Sequence, residues 1–130
     1  MHREISPDGL APPAANYAHA VLSIGATRWL HTSGVVATLS DGTVPDDIGE
    51  QADIIWRNLG AMLADVGMGP TDVVSVATYV VPEQDLGAVM AARDRFLGDH
   101  RAASTLVVVH RLVRPEWLLE ISLVASAGEG

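Results

Sequence analysis

Asp72-Val73-Val74-Ser75-Val76-Ala77-Thr78-Tyr79-Val80-Val81 is the stretch whose reading governs the fold. Its β-branched and aromatic content predicts a strand, and Pro82 ends it. A strand with one face in water alternates apolar and polar residues. This one does not. Val74, Val76 and Val80 fall on one face, and Val73, Ala77, Tyr79 and Val81 on the other. Two further strands, Ser104–Leu112 and Trp117–Ala125, share the pattern. Leu106 and Val108 oppose Val107 and Val109, while Trp117, Leu119, Ile121 and Leu123 oppose Leu118 and Val124. Both faces of the predicted sheet need cover.

Upstream, Val21, Leu22 and Ile24 precede a turn at Gly25-Ala26-Thr27, and Trp29-Leu30-His31-Thr32 completes a predicted hairpin. Asp46 or Asp47 is placed to cap a helix starting near Ile48. Ile48, Ala52, Ile55, Leu59, Met62, Leu63 and Val66 then form one apolar stripe, which Gly67 and Gly69-Pro70 end. A second helix is predicted from about Gln84 to Leu97, buried through Leu86, Val89, Met90, Phe96 and Leu97. Arg114-Pro115-Glu116 is expected to turn the last two strands into a hairpin. Residues 6–16, with Pro7, Gly9, Pro12 and Pro13, read as an extended docked arm, and Gly128-Glu129-Gly130 as a frayed tail. The order of hairpin, helix, strand, helix, hairpin predicts one α+β domain over residues 1–130, a mixed sheet with both helices on one face. An arm of eleven residues is short cover for the other face. Each large side chain left wet there costs roughly 1.5–3 kcal/mol. A closed ring of identical subunits is the expected solution.

The chain contains no cysteine, which excludes disulfides and thiolate metal sites. Sixteen acidic against eight basic residues give a net charge of −8, and no basic residue is a lysine. Such a balance repels phosphate backbones, so neither nucleic acid nor an anionic membrane is an expected partner. Met1-His2-Arg3-Glu4 lacks the apolar core of a signal peptide, and no apolar run reaches the ~20 residues of a membrane span. A cytoplasmic location is expected. Histidines 2, 19, 31, 100 and 110 have no metal-ligand spacing, and Asp46-Asp47 reads as a helix cap. No nucleotide-binding or hydrolase signature occurs. No metal and no cofactor are expected.

Glu120 interrupts an apolar strand between Leu119 and Ile121, where a carboxylate is costly unless solvated, paired or functional. Arg111, in the strand expected to face it, would make a structural partner. His31 and His110 read as structural strand residues. Tyr17 stands where the arm meets the first strand, so its hydroxyl either lines a rim or packs. Ser104 and Thr105 open a strand, where hydroxyls commonly bond to backbone.

Asn16-Tyr17-Ala18-His19-Ala20-Val21, Thr32-Ser33-Gly34, Gln51 with Asn58-Leu59, Asp72-Val73-Val74, Arg111-Leu112 and Leu119-Glu120-Ile121 occur in an order and spacing that resemble the RidA (YjgF/YER057c/UK114) family, from about Pro13 to Ala125. The resemblance implies a chorismate-mutase-like fold and a homotrimer with a small-molecule pocket at each subunit seam. It also implies hydrolysis of reactive enamines and imines, the substrate carboxylate being held by the arginine of a P-A-R-S/T motif. Here that motif reads Ala102-Ala103-Ser104-Thr105, so Ser104 stands at the arginine position. Met90 replaces the family's asparagine, and Val35 its glutamine. A serine lacks the charged fork that suits a carboxylate, so imino-acid deamination is expected to be weak and the pocket less anion-seeking. Arg101 and Arg111 are the candidate substitutes. On this resemblance Glu120 and Tyr17 would be the catalytic residues, Glu120 activating or positioning water or taking a proton, with Tyr17, Ser33, Gly34, Met90, Ser104 and Thr105 around the ligand. The alternative is a non-catalytic, metabolite-sensing or partner-regulating trimer with the same pocket.

Overall fold

The computed structural model describes residues 1–129; Gly130, the end of the expected tail, lies outside the described residues. The chain forms β1 (His2–Ile5), β2 (Ala20–Ser23), β3 (Arg28–His31), α1 (Ile48–Asp65), β4 (Val73–Val80), α2 (Leu86–Leu97), β5 (Ala103–Val108) and β6 (Leu119–Ala127). A mixed four-stranded sheet has the order β3-β6-β4-β5, and β1 pairs with β2 in a separate ribbon.

Helix α1 forms where the sequence predicts it. The Asp47 carboxylate accepts the Glu50 N–H as N-cap, and Arg28 Nη1 donates to the Val66 carbonyl at the far end. Ala52, Ile55, Leu59 and Leu63 are buried as the stripe requires, whereas Met62 and Val66 stay exposed on its flank. Helix α2 starts two residues later than expected, capped by Asp85, and Gly98 at φ 61° closes it. Trp56 stacks on Phe96 where the helices meet, with centroids 5.0 Å apart.

Strand pairing departs from the sequence expectation at both hairpins. β2 does not fold back on β3: it pairs with β1, while β3 crosses to the edge of β6. β5 and β6 do not pair either. They flank β4, β5 parallel and β6 antiparallel to it. The turn residues at 25–27 and 114–116 reverse the chain, but the partners that bury apolar faces lie elsewhere in sequence. A register shift between Val73 and Ser75 further corrects the assignment of faces. It brings Val73 to the same side as Val76, Thr78 and Val80, all buried beneath the helices. Leu119, Ile121, Leu123 and Ala125 of β6 join them.

The opposite face of the four-stranded sheet is largely bare. Trp29 is 54%, Val107 40% and Tyr79 37% exposed. The β1–β2 ribbon covers only one corner, through His2 and Ser23 on Ser126.

Gln51 is a fully buried polar residue that fixes the segment joining β5 to β6. Its Nε2 donates to the carbonyls of Pro45 (2.7 Å) and Glu116 (2.9 Å), and its Oε1 accepts the Leu118 N–H (3.0 Å). Replacing it strands three backbone groups at once. Gln51→Leu is expected to lower unfolding free energy by about 2–3 kcal/mol, read by urea denaturation. A loss within about 0.5 kcal/mol, the range of an ordinary surface change, would refute the clamp.

Candidate functional site

Two sets of candidate residues are placed by two different strand edges. At the free edge of β5, Ala18 forms a parallel bridge to Ala103, and its N–H donates to the Ala102 carbonyl at 3.0 Å. This contact docks the arm and sets Tyr17 beside the start of β5. Tyr17, Met90, Ser104 and Thr105, with Ala15, Arg93 and Leu106, line a cleft of about 330 Å³. Four of the residues singled out in the sequence therefore converge. The Tyr17 hydroxyl accepts the Ala14 N–H at 3.4 Å, and Met90 and Leu106 contribute apolar wall.

At the other edge, strand β3 ends at His31, the Thr32 N–H still donates to the Leu123 carbonyl of β6 at 3.0 Å, and pairing resumes at Val35. The Val35 N–H donates to the Ile121 carbonyl and the Ile121 N–H to the Val35 carbonyl. Between them the Thr32 hydroxyl accepts the Leu123 N–H at 3.0 Å. Ser33 and Gly34 are left as an exposed bulge over β6. Glu120 pairs with Tyr79 in register, so its side chain lies on the bare face. The Glu120 carboxylate lies directly over Gly34, where a Cβ would overlap it. The half-buried Glu120 also lines an open depression of about 530 Å³ with Arg111, Leu112 and Val113. Arg111 thus neighbours Glu120 from a loop, not from a facing strand, and makes no ion pair with it among the described residues.

The remaining candidates lie elsewhere. Arg101 pairs with Glu4 at 2.7 Å, beside His2, Arg3 and His100, and does not reach the Ser104 cleft. His31 ends β3 exposed, and His110 lies in the loop after β5. No group of three potential metal ligands assembles among the described residues, and no helix among them is long and apolar enough to cross a membrane.

Arg93 is the residue that sequence reasoning passes over. It lies on α2 one turn after Met90, is 7% exposed, and directs Nη1 at the Ser104 hydroxyl, 3.4 Å away. The available signal was a charge within the buried stripe between Val89 and Leu97; a search for apolar periodicity discards it.

The endoribonuclease L-PSP family model matches residues 9–127. A Yersinia pestis protein of unknown function in the conserved Rid family is 32% identical, with 97% of this chain and 98% of that one covered and a TM-score of 0.86. A Thermotoga maritima structure named for an endoribonuclease is 27% identical over the full length of both chains, with a TM-score of 0.72. A Mycobacterium tuberculosis member of the YjgF/YER057c/UK114 family is 23% identical, covering 98% and 100%, with a TM-score of 0.68. The chain belongs to the Rid (YjgF/YER057c/UK114) family, and its α+β fold is the family fold.

The overlap at Gly34 has a direct consequence. The obstructing atoms belong to a flexible side chain, so Gly34→Ala should cost less than about 1 kcal/mol in stability. It should nevertheless push the Glu120 carboxylate off the bulge, visible in a crystal structure of the variant. An unmoved Glu120 would mean that Gly34 does not set its position.

Proposed function

We propose that this Rid-family chain forms a homotrimer through the bare sheet face and binds a small metabolite at each seam, where Glu120 promotes hydrolysis. The observation that carries this reading is the division of the site. In one chain Tyr17, Met90, Ser104 and Thr105 share one cleft, while Glu120, Gly34 and Ser33 belong to another edge of the sheet. Each half is open and lacks the opposite wall, the arrangement that a heterologous, closed ring completes.

Physical chemistry supports the assembly. Trp29, Tyr79 and Val107 on the bare face, and Val113 at 90% exposure beside Glu120, are surfaces that water disfavours. Burying each recovers roughly 1.5–3 kcal/mol. A half-buried carboxylate held against a glycine bulge, with an apolar wall supplied by a neighbour, suits general-base work on water. For an imine, or an enamine first protonated at its β-carbon to the iminium, Glu120 takes a proton from water as the oxygen adds to the C=N carbon. Glu120 returns that proton to nitrogen, the carbinolamine hydroxyl loses its own proton as the C–N bond breaks, and a carbonyl compound and ammonia leave.

An RNA substrate fits poorly despite the family's descriptive name. The net charge of −8 and the absence of lysine oppose binding along a phosphate backbone.

Sedimentation velocity should give a trimer, and Val107→Glu on the bare face should shift it to monomer with the fold retained by circular dichroism. Hydrolysis of amino-acid-oxidase-generated imines should be weak in wild type, and Glu120→Gln should keep the trimer while reducing that weak rate to the uncatalysed background. A wild-type monomer would end the seam reading. Undiminished turnover in Glu120→Gln would remove Glu120 from the chemistry and favour the sensing alternative.

A further inference from the structure

We infer that the depression between strand β1 and the loop after α2 is a second binding site, and that it takes a small zwitterion, a free α-amino acid with a short polar side chain. It shares no lining residue with the Tyr17–Ser104 cleft, so the inference does not depend on the function proposed for that cleft.

The depression encloses about 610 Å³, a usual size for a small-molecule site. Its charges come in both signs: Arg3 and Arg101 stand against Glu4 and Asp99. One pair is closed, since Arg101 Nε donates to Glu4 Oε1 at 2.7 Å. That contact uses one nitrogen only. Nη1 and Nη2 of Arg101 have no acceptor among the described residues, and the side chain is 40% exposed, within reach of a ligand. The second pair is open. Arg3 and Asp99 are both exposed and line the same depression, yet neither forms an ion pair with any described residue. Opposite charges that share a depression without touching leave a gap that one molecule carrying both charges closes.

His100 adds direction. Its Nε2 lies 2.7 Å from the Val73 carbonyl, which only accepts, so that nitrogen carries the proton and donates. In the neutral ring Nδ1 is then a lone pair, and with the Asp99 carboxylate it gives the loop two acceptors for an ammonium group. A carboxylate finds its donors in the Nη atoms of Arg101, in Arg3 and in the Thr71 hydroxyl. The same inventory disfavours ions of one sign. A phosphate or dicarboxylate meets Glu4 and Asp99 in a chain of net charge −8. A metal ion meets two arginines, and no group of three potential ligands assembles among the described residues. Val21 is the one apolar residue of the lining, so a large apolar side chain on the ligand gains little.

The experiment follows the amide resonances of the isotope-labelled protein during titration with asparagine. Parallel titrations use N-acetylasparagine, which lacks the ammonium charge, and asparaginamide, which lacks the carboxylate. Asparagine should give saturable shifts at Arg3, Thr71, Asp99 and His100. Each single-charge analogue should bind roughly three- to five-fold more weakly, the scale of one partly exposed ion pair. Asp99→Asn breaks no ion pair of the free protein and should remove the preference over N-acetylasparagine. Arg101→Gln should reduce the preference over asparaginamide, with circular dichroism native in both variants. Equal affinity for asparagine and its two analogues would overturn the inference, as would preferences that survive both substitutions. Shifts confined to Tyr17, Ser104 and Thr105 would also overturn it, by assigning the amino acid to the cleft. So would the absence of any saturable shift at Asp99 and His100.

Discussion

Helices of 18 and 12 residues can blanket one side of a four-stranded sheet, and here they blanket the side that holds Val73, Val76, Leu119 and Ile121. The other side has the same backbone but no equivalent layer. Tyr79 stands on its inner strand β4, and Val107 and Trp29 on its two edge strands. That imbalance organises the rest of the molecule. The residues nearest the bare side, Glu120, Gly34 and Thr105, gain a defined chemical environment only when something covers it. In the proposed ring, cover from identical copies would set one edge of each sheet against a different edge of the next, so that a seam would bring together groups that a single chain keeps apart.

The order and type of the main elements were legible because they depend on local chemistry. Asp47 and the stripe from Ala52 to Leu63 define α1 within a few turns of chain, and the two-sided apolar strands announce a sheet in need of cover. Pairing was not legible, because it depends on partners distant in sequence. Gly25 and Pro115 mark reversals, yet a reversal does not say which strand the returning chain will meet. The bulge after Val73 likewise has no local signature, and it moves one valine across the sheet. Strand β1 was missed for the opposite reason: His2-Arg3-Glu4-Ile5 has little strand character and is held by its pairing with β2.

The candidate site divides along the same line. Tyr17, Met90, Ser104 and Thr105 could be picked out by resemblance, and the chain brings them to one cleft. Arg101 and Arg111 were singled out as substitutes for a strand arginine because they are near Ser104 in sequence. Arg101 is taken by Glu4, Arg111 sits in the loop by Glu120, and the guanidinium beside Ser104 comes from α2. A pocket wall made from a strand and a helix can receive a charge from either.

Charge acts on this chain at two length scales. At long range the chain, with twice as many acidic as basic residues, repels polyanions, and each added phosphate deepens that repulsion. At contact range a single guanidinium, that of Arg93, 7% exposed, lines a cleft whose other walls are apolar or carry hydroxyls. The long-range effect opposes a nucleic-acid strand at every phosphate, whereas a small solute meets little of it, since one charge couples weakly to a screened field beyond about 10 Å. The same distribution of charge thus weighs against a polyanion far more than against a small molecule.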